Sequence, residues 1–148
     1  MSNNNYSSNY SSESRPMPPS ISAQPLPVDY VDAAEQVILK LSALGAQNVI
    51  TNTKLRNLYS LITDISNVEN LRAEEELLPK SQTQLMMARV RMVYEAGRDN
   101  NVKHFLQTAM LLEYLKDIGI SREKLMQYSR YMEALVAYHR FHIGGRER

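Results

Sequence analysis

TNTKLRNLYSLITDIS, residues 51–66, decides the class of fold. Leu55, Leu58, Ile62 and Ile65 recur at alternating intervals of three and four, which lines them up along one face of a 3.6-residue helix and leaves Lys54 and Arg56 off that line. Thr51 or Thr53 stands where a hydroxyl can accept the first free backbone N–H groups, so the helix is predicted to start there and run to about Ser66. Upstream, Val31, Ala34, Ile38 and Leu41 repeat the pattern behind Asp29, a good N-cap, until Gly45 supplies a stop.

Downstream, Asn67 to Leu78 reads as an acidic link around Glu74, Glu75 and Glu76, and Pro79 suits the first turn of a new helix better than the inside of an old one. The third helix, about Lys80 to Ala96, carries Leu85, Met86, Met87, Val90, Met92, Val93 and Tyr94, apolar on more than one side, and is therefore predicted to be central. Asn101 can cap a fourth helix, with Val102, Phe105, Leu106, Ala109, Leu112 and Leu115 facing inward up to Gly119. Ser121 caps a fifth, with Leu125, Tyr128, Met132, Leu135 and His139 on its stripe, until Gly144 and Gly145. The expectation is an all-α fold: a compact five-helix bundle in one domain, residues 29–148. Residues 1–28 are rich in Ser, Asn and Pro with few aliphatics, and are expected to be a disordered tail, since they cannot bury enough surface to offset the entropy of ordering.

Composition narrows the function. Zero Cys removes disulfides, thiolate metal sites and cysteine nucleophiles together. No run approaches the roughly 18 apolar residues of a membrane span, and the first residues carry no signal-like pattern, so a soluble cytoplasmic protein without a membrane partner is expected. Gly97 and Gly119 are isolated, and Gly144–Gly145 follows a helix rather than preceding one, so no glycine loop is poised to cradle phosphates. No His has an acidic residue three positions before it, and His139 with His142 lacks a third ligand nearby in sequence. No catalytic residue, metal or cofactor is expected; the chain reads as a binder.

The net charge of +1 conceals an asymmetry. Residues 29–79 hold eight acidic and four basic side chains, whereas residues 80–148 hold twelve basic and seven acidic. That pattern suits either a protein with one face toward a polyanion or ordinary solvated helix surfaces. Among the basic residues off the apolar stripes, Lys54, Arg56, Arg89, Arg91, Arg98, Arg130 and Arg140 are candidate phosphate contacts. Arg89 and Arg91 diverge by about 200° on a helix, so both cannot meet one ligand. Tyr94, Tyr128 and Tyr138 could stack on bases, but their helical spacing reads first as core.

Three stretches together, TKLRNL at 53–58, VYEAGRD at 93–99 and YMEALVAYHRF at 131–141, resemble the small, inner-filament or belly subunit of type III-A CRISPR effector complexes. YVDAAEQVILKL at 30–41 and VKHFL with LLEYLKDI across 102–118 extend the resemblance over nearly all of Tyr30 to Gly145. It implies a non-catalytic subunit stacked in several copies, whose partners are guide RNA, target RNA, the backbone and large subunits, and neighbouring copies of itself. Sequence reading in such complexes falls to base pairing, and the protein supplies charge and shape. Carried over residue by residue, Lys54 and Arg56 of the first motif, Arg98 of the second and Arg140 of the third are implied to face RNA, and Arg130, just before the third, joins them. The alternative is a protein-only helical adaptor in which these charges pair with the Glu74–Glu76 stretch of a neighbouring copy.

Overall fold

The computed structural model describes residues 16–18 and 20–144. Their regular structure is helical: α1 (Tyr30–Ser42), α2 (Asn52–Glu69), α3 (Pro79–Arg98), α4 (Asn100–Ala109), α5 (Leu111–Ile118) and α6 (Arg122–His142), with one 3-10 turn at Ala46–Asn48. The predicted stripes form the core, and α6 packs along both α1 and α2. Thr51 and Ser121 cap α2 and α6 as expected, their hydroxyls accepting the N–H groups of Lys54 and Lys124 at 3.2 Å. Asp29 occupies the N-cap of α1, but its side chain makes no capping bond.

The helix count departs from five because the predicted fourth helix breaks at Met110. That residue is left-handed at φ 54°, a conformation disfavoured for a side chain with a Cβ. The break leaves carbonyls on either side of Met110 facing α6, where two buried phenols meet them: Tyr131 donates to Ala109 O at 2.8 Å and Tyr128 to Leu111 O at 2.9 Å. Tertiary contacts thus override local propensity, and α5 turns so that Leu111, Leu112 and Leu115 enter the core.

Three boundaries differ for local reasons. Gly97 does not stop α3, which ends one residue later. The cap of α4 is Asp99 rather than Asn101: its Oδ1 accepts the N–H groups of Asn101 at 2.8 Å and Val102 at 3.4 Å. Helix α2 extends to Glu69, and the link that follows is tied to the α5–α6 turn by Leu77 N to Ile120 O at 2.8 Å and Arg122 N to Glu75 O at 2.9 Å.

Within the tail expected to be disordered, residues 1–15 and 19 lie outside the described residues. The part just before α1 has no regular structure but is attached to α5: Gln24 N donates to Glu113 O at 3.1 Å, Lys116 Nζ donates to Ile21 O at 2.7 Å, and Leu26 is half-buried against the core. Deleting residues 1–20 should leave the thermal midpoint unchanged, whereas deleting residues 1–28 should lower it by several degrees through the lost Leu26 burial. Differential scanning calorimetry of the two truncations checks this, and equal midpoints would show that the strap contributes nothing.

Candidate nucleic-acid interface

One end of the bundle is where α2 and α4 begin and α3 and α6 finish. Four long-range contacts assemble it. The Lys54 ammonium meets the Asp99 carboxylate at the α3–α4 junction. Asn101 Nδ2 donates to Gln47 O at 2.9 Å, and buried His139 Nε2 donates to Ile50 O at 2.8 Å, directly before the cap of α2. His142 Nε2 contacts Glu35 Oε2 at 2.8 Å, so the two histidines of α6 are held by different partners rather than converging on a shared ligand.

This arrangement brings four of the five predicted RNA-facing residues, Lys54, Arg56, Arg98 and Arg140, to the same end, with Lys54 and Arg56, two positions apart on α2, on different sides of that helix. Arg56 and Arg140 are exposed and have no ion-pair or hydrogen-bond partner among the described residues. Lys54 is half-exposed, but its charge is engaged: the Lys54 hydrogen bond, against the opposing effect of burial, holds the Asp99 carboxyl below its usual range, assisted by the N–H groups of Asn101 and Val102. Arg98 and Arg91 share one carboxylate, Glu95, at 3.7 Å and 3.3 Å. Two guanidinium groups against one carboxylate leave a positive balance there.

Arg130 is exposed but stands apart. It lines a concavity of about 630 Å³ with Glu74, Glu75, Arg122 and Glu123 toward the opposite end, where α2 finishes and α6 begins. A phosphate approaching Arg130 meets carboxylates as well. The charge asymmetry read along the sequence does not map onto the two ends of the bundle: Arg122 and Arg130 of the basic half lie with Glu74 and Glu75, while Arg56 of the acidic half lies at the end that also holds Arg98 and Arg140.

Two features were not foreseen. The predicted central position of α3 is corrected: Ala88 and Met92 are buried, but Met86, Met87, Val90, Val93 and Tyr94 form an exposed apolar ridge. A helix apolar on two sides can bury only the side its neighbours cover. Tyr94, read first as core, is 56% exposed, with Arg91 Cζ 5.8 Å and Arg98 Cζ 5.5 Å from its ring centroid. The spacing of Arg91, Tyr94 and Arg98, three and four apart, could have signalled a common helix face. Tyr128 is core as read, and Tyr138 is half-buried. Between α2 and α3 runs a groove of about 280 Å³ lined by Lys54, Asn57, Ser60, Arg91 and Glu95 among others. Arg89 instead borders a cleft beside Leu115 and Lys116 of α5, so it and Arg91 diverge as helix geometry requires.

Such a surface can neutralise phosphates and offer an aromatic face. Among the described residues no group of three or more His, Asp or Glu side chains is arranged to hold a metal ion, and no helix is long and apolar enough to cross a membrane.

Comparison with known proteins places these features in a family context. The model of the family described as Csm2 Type III-A matches residues 29–145. The "CRISPR system Cms protein Csm2" of Mycobacterium tuberculosis (strain CDC 1551 / Oshkosh) is 40% identical over 113 residues, covering 76% of this chain and 90% of that protein. The protein of the same name from Streptococcus thermophilus is 38% identical over 117 residues, covering 78% of this chain and 93% of the relative. That from Enterococcus italicus is 30% identical over 105 residues, with 66% and 71% covered.

Proposed function

The chain belongs to the Csm2 Type III-A family, and from that premise we propose that it is a non-catalytic small subunit of a type III-A CRISPR complex, stacking in several copies and contacting the backbone of target RNA and of the guide–target duplex. The observation that carries the RNA contact is that Arg56, Arg98 and Arg140 are exposed at one end of the bundle, two of the guanidinium groups unpaired among the described residues; Lys54, two positions before Arg56, points about 200° away from it on α2. Phosphate oxygens are the natural partners of such groups, and they require no reading of base sequence. Exposed Met86 and Met87, about two turns before Tyr94 on α3, favour an additional protein contact, to a neighbouring copy or a backbone subunit.

The triple variant Arg56→Ala/Arg98→Ala/Arg140→Ala should fold normally, since exposed cations contribute little to stability and Ala is the best helix former. In the reconstituted complex its affinity for target RNA should fall similarly for unrelated sequences. The slope of log affinity against log salt should become shallower by up to about 2, at roughly 0.7 per lost single-strand contact. Titrating two RNAs of different sequence at several salt concentrations checks this. An unchanged slope with impaired assembly would assign these residues to protein contacts and favour the adaptor alternative. Lys54→Ala is expected to act differently, because it also leaves Asp99 without its ion-pair partner at the start of α4.

A further inference from the structure

We infer that Tyr94 is a stacking platform for an unpaired RNA base, with Arg91 and Arg98 holding the phosphates beside that nucleotide; the inference rests on the RNA contact proposed above and names the part of the RNA that this surface takes. A tyrosine at core spacing on a helix ordinarily buries its ring, but this one is more than half exposed and its hydroxyl has no partner among the described residues. Its solvent-facing position is fixed by the burial of Ala88 and Met92 on the other side of α3. The neighbours are the ones a nucleotide needs. Guanidinium groups from the turn before and the turn after lie over the ring, within 6 Å of its centroid, so a base takes a ring face by moving one of them aside toward its own phosphate, and Glu95 between them holds both nearby without cancelling both charges. Exposed Val90, one turn back from Tyr94, widens the apolar shelf. Bases inside a duplex have both faces covered by their neighbours, so only an unpaired or splayed-out base can lie on the ring. Stacking accepts any base, which suits a subunit that does not read sequence.

The test uses the full chain with three probes: a labelled single-stranded oligouridylate, the same strand with abasic positions interspersed, and a blunt RNA duplex. Tyr94→Ala should weaken single-strand binding roughly five- to a hundredfold, Tyr94→Phe should bind like wild type, and duplex affinity should not move. Wild type should lose a similar factor on the abasic strand, and Tyr94→Ala should no longer distinguish the two strands, as expected when one interaction is removed from either side. The salt slope should stay constant for Tyr94→Ala, separating stacking from charge. Wild-type single-strand affinity retained by Tyr94→Ala, with salt-dependent binding intact, would overturn the stacking role and leave the phosphate contacts standing. Unaltered RNA binding together with a changed sedimentation profile would assign the ridge to a protein neighbour and overturn it likewise. Absence of any RNA binding by wild type would overturn both this site and the RNA contact on which it rests.

Discussion

Replacing Glu69 with alanine is expected to lower the unfolding free energy by about 3 kcal/mol, at the lower end of the ~3–5 kcal/mol seen when a buried ion pair loses one partner. The carboxylate is buried at the end of α2. Its Oε2 accepts from Arg72 Nη1 at 2.7 Å and its Oε1 from the Leu78 N–H at 3.0 Å, so one side chain closes the link between α2 and α3. Arg72 and Arg122 bind the same segment, donating to the Glu76 and Glu74 carbonyls. Without Glu69 the Leu78 N–H loses its acceptor, while Arg72, partly exposed, keeps its ion pair with Glu74 at 3.5 Å, which limits the loss. Burial alone would push this carboxyl up, but the Leu78 N–H, Arg72 and Ser81 outweigh it and hold it below its ordinary range. Below the unfolded-state value near about 4.3, the unfolded chain therefore binds the proton more readily than the folded one. The contribution is fully present above that value and is lost as pH falls through the lowered folded value. Chemical denaturation should show Glu69→Gln retaining part of the stability at pH 7 and losing less than wild type between pH 5 and pH 3. Parallel pH curves would mean that Glu69 is not held in this way.

Leu135→Ala is expected to cost about 2–5 kcal/mol, the range for a buried leucine whose cavity cannot fully collapse. Leu135 is fully buried on α6, the helix that packs along both α1 and α2, so the vacated volume is bounded by three helices rather than open to solvent. Leu58→Ala on α2 should cost a comparable amount, since its side chain is 3% exposed on the facing stripe. Urea titration of both variants measures the loss. Values near zero at both positions would contradict the helix registers that bring α2 and α6 together.

Those registers were legible because each stripe carries its own periodicity and its own terminal signal: Thr51 before Leu55 and Leu58, Ser121 before Leu125 and Tyr128. Features arising between helices were not. The break at Met110 has no local marker, since the carbonyls beside it are met by Tyr128 and Tyr131 from a different helix. Asp99 takes the cap from Asn101 through its Oδ1, while its Oδ2 meets Lys54, 45 residues away in the chain. The pattern of α3 shows two apolar sides but not which one the neighbours cover, so Tyr94, at core spacing, stands outward. For the candidate interface, sequence supplied the residues and left out their grouping. Only the packing of α2, α3 and α6 shows that Arg56, Arg98 and Arg140 share an end while Arg130 lies among glutamates at the other.

Which end of the bundle meets RNA is tested most directly by photo-crosslinking the reconstituted complex with target RNA carrying 4-thiouridine and mapping the adducts on this subunit by mass spectrometry. Adducts are predicted on peptides containing Arg56, on the Tyr94–Arg98 segment and around Arg140, and not on residues 70–78. Crosslinks confined to the Glu74–Glu76 segment and Arg130, with none at the opposite end, would contradict the account.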